Sequence, residues 1–223
     1  MRHAAITFAA QAAELNFTPD AVFCSDMLNL AEFIGLSPQL SRVPKVAYFH
    51  ENQLTYPVRF ESERDYQYVL TNMTTMLAAD AVWFNSAFHR DEFLTALKKF
   101  LKRMPDNQPI AAVDDIYDKS SIHPPGIYPF PPRPDRRPGP IRILWAARWE
   151  HDKNPEDFFA AMKKLKADRI DFRLSVIGEH FRDIPDVFTW AKEYFKDNID
   201  HFGYQPTIDD YRKVLAGTDV FVS

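Results

Sequence analysis

Most of the residues suited to chemistry sit directly behind apolar runs. The first cluster is Arg148, Trp149, Glu150, His151, Asp152 and Lys153, between the run at 141–147 and a helix start at Asn154. A guanidinium, an ammonium and a helix N-terminus together favour an anion, a diphosphate above all. Arginine can chelate two phosphate oxygens, and lysine supplies a movable point charge. The competing reading is a solvated turn in which Glu150 and Asp152 neutralise the two cations. His50, Glu51, Asn52 and Gln53 follow the run at 45–49. There His50 can donate to a sugar hydroxyl or a leaving phosphate, and Glu51 can act as a base or bind hydroxyls. A polar loop whose histidine caps a neighbouring helix is the alternative. Gly178, Glu179 and His180 follow the run at 172–177. A glycine lets backbone approach a ligand closely, although an ordinary turn would use one too. Asn85 and Ser86 follow the run at 81–84, and Ser86 is already explained as a helix cap.

The fifth cluster is basic: Lys98, Lys99, Lys102 and Arg103. Their steps place them on one helix face, opposite Phe93, Leu97 and Leu101. Together with Arg133, Arg136 and Arg137 they could meet the phosphates of an acceptor, or they could form a solvated face. No metal is expected, since the 7 histidines are scattered without HxxxH spacing and the single cysteine excludes CxxC. No nucleophile-elbow motif is present either.

The elements that must position these residues alternate along the chain. Strands are expected at 22–24, 45–49 and 81–84, with helices at 28–36, 61–79 and from Ser86 onward. The helix at 61–79 is expected to turn Tyr66, Leu70, Met73 and Leu77 to the core. From 123 to 140 the sequence reads HPPGIYPFPPRPDRRPGP. Proline fixes φ and removes the amide donor, so this stretch reads as a stiff connector. The alternation then resumes: strands at 141–146, 172–177, 199–202 and 219–222, and helices from Asn154-Pro155, over 187–195 and from Thr207. The domains are therefore 1–122, a linker at 123–140, and 141–223. Alternating strand and helix predicts mostly parallel sheets with helices on both faces, and a ligand cleft at the strands' carboxyl ends. With 6 glycines in the chain, a GxGxxG loop is absent. No βα unit precedes the first strand and no helix follows the last, so both ends read as truncations.

Composition limits the function classes. A 46% hydrophobic and 26% charged chain is an ordinary globular one. A net charge of −4 argues against a strongly basic nucleic-acid binder, without excluding a local basic patch. No apolar run approaches the ~20 residues needed to cross a membrane, and no signal peptide is recognisable. Cys24 reads as a small buried hydrophobe, compatible with a reducing cytoplasmic setting. Oligomeric state is not legible.

Three segments carry a resemblance. YFHENQLTYP at 48–57, RWEHDKNPEDFF at 148–159, and the stretch from VIGEHFRDIPDVF at 176–188 to HFGYQPTIDDY at 201–211 closely resemble the tRNA-queuosine α-mannosyltransferases. These are retaining glycosyltransferases related to glycogen and sucrose synthases. The weaker segments MLNLAEF and ADAVWFNSAF extend the similarity over nearly the whole chain. The resemblance implies an α/β chain of two Rossmann-like, doubly wound parallel-sheet domains of the GT-B type, both incomplete here. It implies a hexosyltransferase that moves mannose from GDP-mannose onto queuosine in tRNA with retention, without a metal or other cofactor. By resemblance, Arg148 and Lys153 hold the diphosphate, His50 lies near the transferred sugar, and these three are catalytic. Asn154, Gly178, Glu179, Gly203 and Tyr204 would line the donor site. Glu51, Asn52, Gln53 and the Lys98–Arg103 cations would face the acceptor. Two departures stand out: the superfamily's glycine-rich phosphate loop is missing, and so is its pair of glutamates separated by seven residues. A catalytically incomplete fragment that binds sugar nucleotide or RNA, and a related transferase acting on a glycan, are the alternatives.

Overall fold

The computed structural model describes residues 3–56, 58, 60–130, 135–136, 138–180 and 184–222. The chain forms two units, residues 1–127 and 128–223. The division falls inside the proline-rich stretch, whose residues 123–130 contain no helix or strand. Arg133 and Arg137 of that stretch lie outside the described residues.

In the first unit, β1 (Val22–Ser25), β2 (Lys45–Phe49), β3 (Ala81–Phe84) and β4 (Ser120–Ile122) form a parallel sheet in that order. Partners such as Ala47 with Val82, and Phe84 with Ile122, fix the register. Period-two alternation sends Cys24, Ala47, Phe49, Val82 and Phe84 to one face. There they form a single core with α1 (Ala4–Ala13), α2 (Leu30–Leu36), α3 (Tyr66–Ala78), α4 (Ala87–Leu101) and α5 (Ala111–Asp118). The opposite face carries rings: Phe23 lies 5.8 Å from Trp83, and Trp83 stacks on His123 at 4.0 Å. Asn29, Asp65 and Ser86 cap α2, α3 and α4 by accepting from Glu32, Tyr68 and His89 amides.

Some expectations change. The helix expected at 61–79 begins as a 3-10 turn, Glu61–Glu63, and restarts at Tyr66 where Asp65 caps it. Its buried stripe is Val69, Asn72, Met73, Thr75 and Met76, while Tyr66 and Leu77 are exposed. The face is rotated because two polar residues point inward. Thr75 donates to the Leu28 carbonyl at 3.0 Å and accepts from the Leu30 amide at 3.2 Å. Asn72 donates to the Asp26 carbonyl at 3.1 Å. α1, α5 and β4 were not anticipated.

In the second unit, β5 (Ile141–Ala146), β6 (Phe172–Ile177), β7 (Ile199–Gly203) and β8 (Val220–Val222) form a parallel sheet ordered β7-β6-β5-β8. One face packs Ile143, Trp145, Leu174 and Val176 on α6 (Pro155–Ala167) and α7 (Asp186–Tyr194). The other packs Leu144 and Ile177 on Val214 of α8 (Ile208–Ala216). Helices therefore cover both faces, as the alternation predicts. Thr207 caps α8 by accepting from the Asp210 amide.

Thr75→Val keeps the shape but strands a buried N–H and a buried C=O. We expect a loss of about 1–3 kcal/mol, read as a lower urea midpoint at unchanged slope.

Candidate functional site

In both units most candidate residues follow strand C-termini, and neighbouring side chains shape those loops. In the first unit, His50 leaves β2 and meets Asp26, which leaves β1. The contact from His50 Nδ1 to Asp26 Oδ1 is 2.7 Å, with the imidazole 48% exposed and the carboxylate 2% exposed. Oδ1 nevertheless has no aligned hydrogen bond among the described residues, so the two groups are in contact without a formed hydrogen bond. Burial pushes the Asp26 carboxyl up to about 6, opposed by His50 and by the Asp26 and His50 backbone amides.

The loop behind His50 is tied down internally. Asn52 is buried; its Oδ1 accepts from the Leu54 and Thr55 amides at 3.0 and 2.9 Å, and its Nδ2 donates to Thr55 Oγ1 at 2.9 Å. The Arg64 guanidinium, unremarked in the sequence, donates to the Gln53, Leu54 and Tyr56 carbonyls at 3.0, 2.7 and 3.1 Å. Asn72 accepts from the Gln53 amide at 3.4 Å. Asn85 donates to the His50 carbonyl at 3.0 Å, and its Oδ1 faces the buried His89 ring at 3.0 Å. Asn52 thus holds the loop, while His50 is exposed and Glu51 half-buried.

The basic cluster divides. Lys98 and Lys99 lie in the last turn of α4, where cations complement the dipole. Lys102 and Arg103 lie past the helix end at Leu101, so the four do not share one helix face. All four are exposed. Arg136 lies in the second unit and pairs with Asp219 at 3.2 Å.

In the second unit, Arg148, Gly178, Glu179 and Tyr204 line one cavity of about 240 Å³ with Ala146, Gln205 and Tyr211. Gly178 has no alternative there: a Cβ would lie 1.8 Å from the Ala147 carbonyl oxygen. Trp149 locks the approach. It is buried, stacks on Phe188 at 4.4 Å, and donates its amide to the Glu179 carbonyl at 2.9 Å. Gly203 has a φ of 110°, and its carbonyl accepts from the Gln205 side chain at 3.2 Å. Arg148 is 46% exposed and 3.3 Å from Glu150.

Lys153 and Asn154 are not among the described lining residues. Lys153 ends a 3-10 turn and pairs with Asp152 at 2.7 Å. Asn154 does not cap α6 as expected. Its φ is 48°, and its Nδ2 donates to Asp157 at 2.7 Å. The left-handed backbone, tolerated by asparagine, turns its side chain outward. Glu156 and Asp157 then face the positive helix end.

A larger cavity, about 450 Å³, opens at Arg142, Lys213 and Asp219, near the amino ends of β5 and β8. Open α/β sheets bind ligands at carboxyl ends, so the Arg148 cavity is the candidate site. Among the described residues, no group of three His, Cys, Asp or Glu could hold a metal ion, and no helix is long and apolar enough to cross a membrane.

The family model described as tRNA-queuosine alpha-mannosyltransferase N-terminal matches residues 1–127. The tRNA-queuosine alpha-mannosyltransferase of Drosophila melanogaster is 35% identical over 213 residues, which is 91% of this chain and 56% of that protein. The chain thus spans little more than half of that relative. Among solved structures it resembles one described as trehalose-6-phosphate from E. coli bound with UDP-2-fluoro glucose, with TM-score 0.62, 12% identity, and coverage of 99% and 55% of the two chains. It also resembles the pneumococcal O-GlcNAc transferase in complex with UDP and GlcNAc, with TM-score 0.61, 14% identity, and coverage of 96% and 39%. Those likenesses are of fold, and the fold is the GT-B type.

Gly178→Ala should prevent the second unit from folding, read as lost near-ultraviolet dichroism from its tryptophans, because backbone lies in the way. Asp26 gives a pH signature. Below about pH 4 the carboxyl is protonated folded or unfolded; between there and about 6 only the folded state keeps the proton. Stability therefore falls as pH rises through that window, by up to about 3 kcal/mol. Asp26→Asn should stabilise the chain at pH 8, and the gain should vanish below pH 4. Urea titrations at both pH values check this.

Proposed function

Because the chain belongs to the tRNA-queuosine alpha-mannosyltransferase family, we propose that it forms part of a transferase moving mannose from GDP-mannose to queuosine in tRNA, with retention. The observation that carries the reading is the gathering of Arg148, Gly178, Glu179 and Tyr204 around one cavity at the carboxyl ends of β5, β6 and β7. In this reading the nucleoside diphosphate enters there. The small Gly178 turn admits the phosphates, and the 61% exposed Tyr204 ring packs near the base. Arg148 exchanges Glu150 for the diphosphate, and Lys153 exchanges Asp152. As the glycosidic bond breaks, both stabilise the negative charge growing on the leaving group. Protein cations then supply the electrostatic help that some transferases take from a metal.

His50, at the end of β2, serves the sugar side, with Glu51 and Gln53 beside it toward the acceptor. Lys98, Lys99, Lys102 and Arg103 form an exposed basic surface suited to tRNA phosphates. The cytoplasm is the compartment proposed for this chemistry.

The test is label transfer from GDP-[14C]mannose to tRNA with or without queuosine. We expect label only with queuosine, and Arg148→Ala to reduce the rate about a hundredfold, or roughly 3 kcal/mol. Transfer that ignores queuosine removes the acceptor assignment; an undiminished Arg148→Ala rate removes the donor site.

A further inference from the structure

We propose that Asp26 is a positioning residue for His50, holding Nδ1 of the imidazole inward so that Nε2 is presented to the sugar side of the transfer site. This rests on the reading of the His50 loop given above, and it concerns a residue the sequence did not single out.

Asp26 is firmly placed. Its amide donates to the Tyr48 carbonyl at 3.0 Å, and its carbonyl accepts from Asn72 at 3.1 Å. The backbone on both sides of the carboxylate is thereby fixed. The side chain is 2% exposed, and Oδ1 lacks a hydrogen bond among the described residues. A buried carboxylate oxygen without a donor is unfavourable, so a partner is needed.

The surrounding elements offer one. On β1, the Cys24 thiol is itself pushed up to about 12 by burial and by the Asp26 charge, so it stays a neutral, weak donor. On α3, Tyr68 donates its hydroxyl to the Met27 carbonyl at 3.0 Å, and Asn72 is committed as above. On α4, His89 faces Asn85 Oδ1 at 3.0 Å, and burial holds its pKa below the ordinary value. In the loop after β2, Glu51 brings a second negative charge. Among these side chains His50, with Nδ1 at 2.7 Å, is the group able to donate. Its ring is 48% exposed, whereas the carboxylate is 2% exposed. A small rotation would aim Nδ1–H at Oδ1. The other nitrogen, Nε2, then keeps its lone pair and can accept a hydrogen bond from a sugar hydroxyl.

The test reads the ring directly. The chain is labelled with 15N-histidine, and His50 is assigned by the signals that vanish in His50→Gln. At pH 8 we expect wild-type His50 in the Nδ1–H tautomer. In Asp26→Asn, the population should shift toward the Nε2–H tautomer. A wild-type ring already in the Nε2–H form overturns the proposal without any variant; so does an identical pattern in folded Asp26→Asn. Neither sugar nucleotide nor tRNA enters this measurement. Absent mannosyl transfer with the tautomer shift intact would remove the proposed function and leave the Asp26–His50 assignment. Transfer with an unshifted ring would do the reverse.

Discussion

A parallel sheet satisfies its backbone along the strands and abandons it at their carboxyl ends, where the chain must turn away. Every candidate loop here begins at that point, so its carbonyls and amides need other partners. In the first unit side chains supply them. Arg64 collects three carbonyls, Asn52 two amides, and Asn72 and Asn85 each bind backbone from a neighbouring loop. In the second unit the solution is contact: Gly178 lets the Ala147 carbonyl approach where any side chain would collide. The partly exposed side chains of His50 and Arg148 project from loops already held in place. That is the preorganisation a transfer site requires.

The two ends of the proposed chemistry use charge differently. Around Arg148 and Lys153, each cation rests against an acid one or two residues away in sequence, at 46% and 36% exposure. Such exposed pairs are weak and exchange readily for a diphosphate. Around Asp26 the carboxylate is buried, and its ionised form is kept at an energetic disadvantage. A surface pair is suited to giving way to a ligand, and a buried one to holding a ring in place.

Much of the fold was legible because the strands are apolar runs bounded by turn residues, and the caps Ser86 and Thr207 are of the types that accept helix amides. α3 was misread in rotation, since a pattern rule counts apolar residues and cannot know that Thr75 and Asn72 are buried to bond another loop. The alanine-rich α1 offers only small buried residues, Ala5 and Ala9, whereas the short α5 does carry an apolar face, Ala112, Val113 and Ile116, that was overlooked. Within the site, Arg148, Gly178 and Glu179 followed from position after a strand, and the resemblance added Tyr204. Asp26 and Arg64 were invisible, because their partners lie 24 and about 10 residues away and only folding brings them together. Asn154 was legible in type but not in role, since its positive φ is decided by the 3-10 turn before it.

The donor site proposed for the nucleoside diphosphate lies between the loops that follow β5, β6 and β7. A crystal structure of the chain soaked with GDP tests it most directly. Phosphate density is expected within hydrogen-bonding distance of the Arg148 guanidinium, with the base beside Tyr204. GDP found instead among Arg142, Lys213 and Asp219, with the Arg148 cavity vacant, would contradict it.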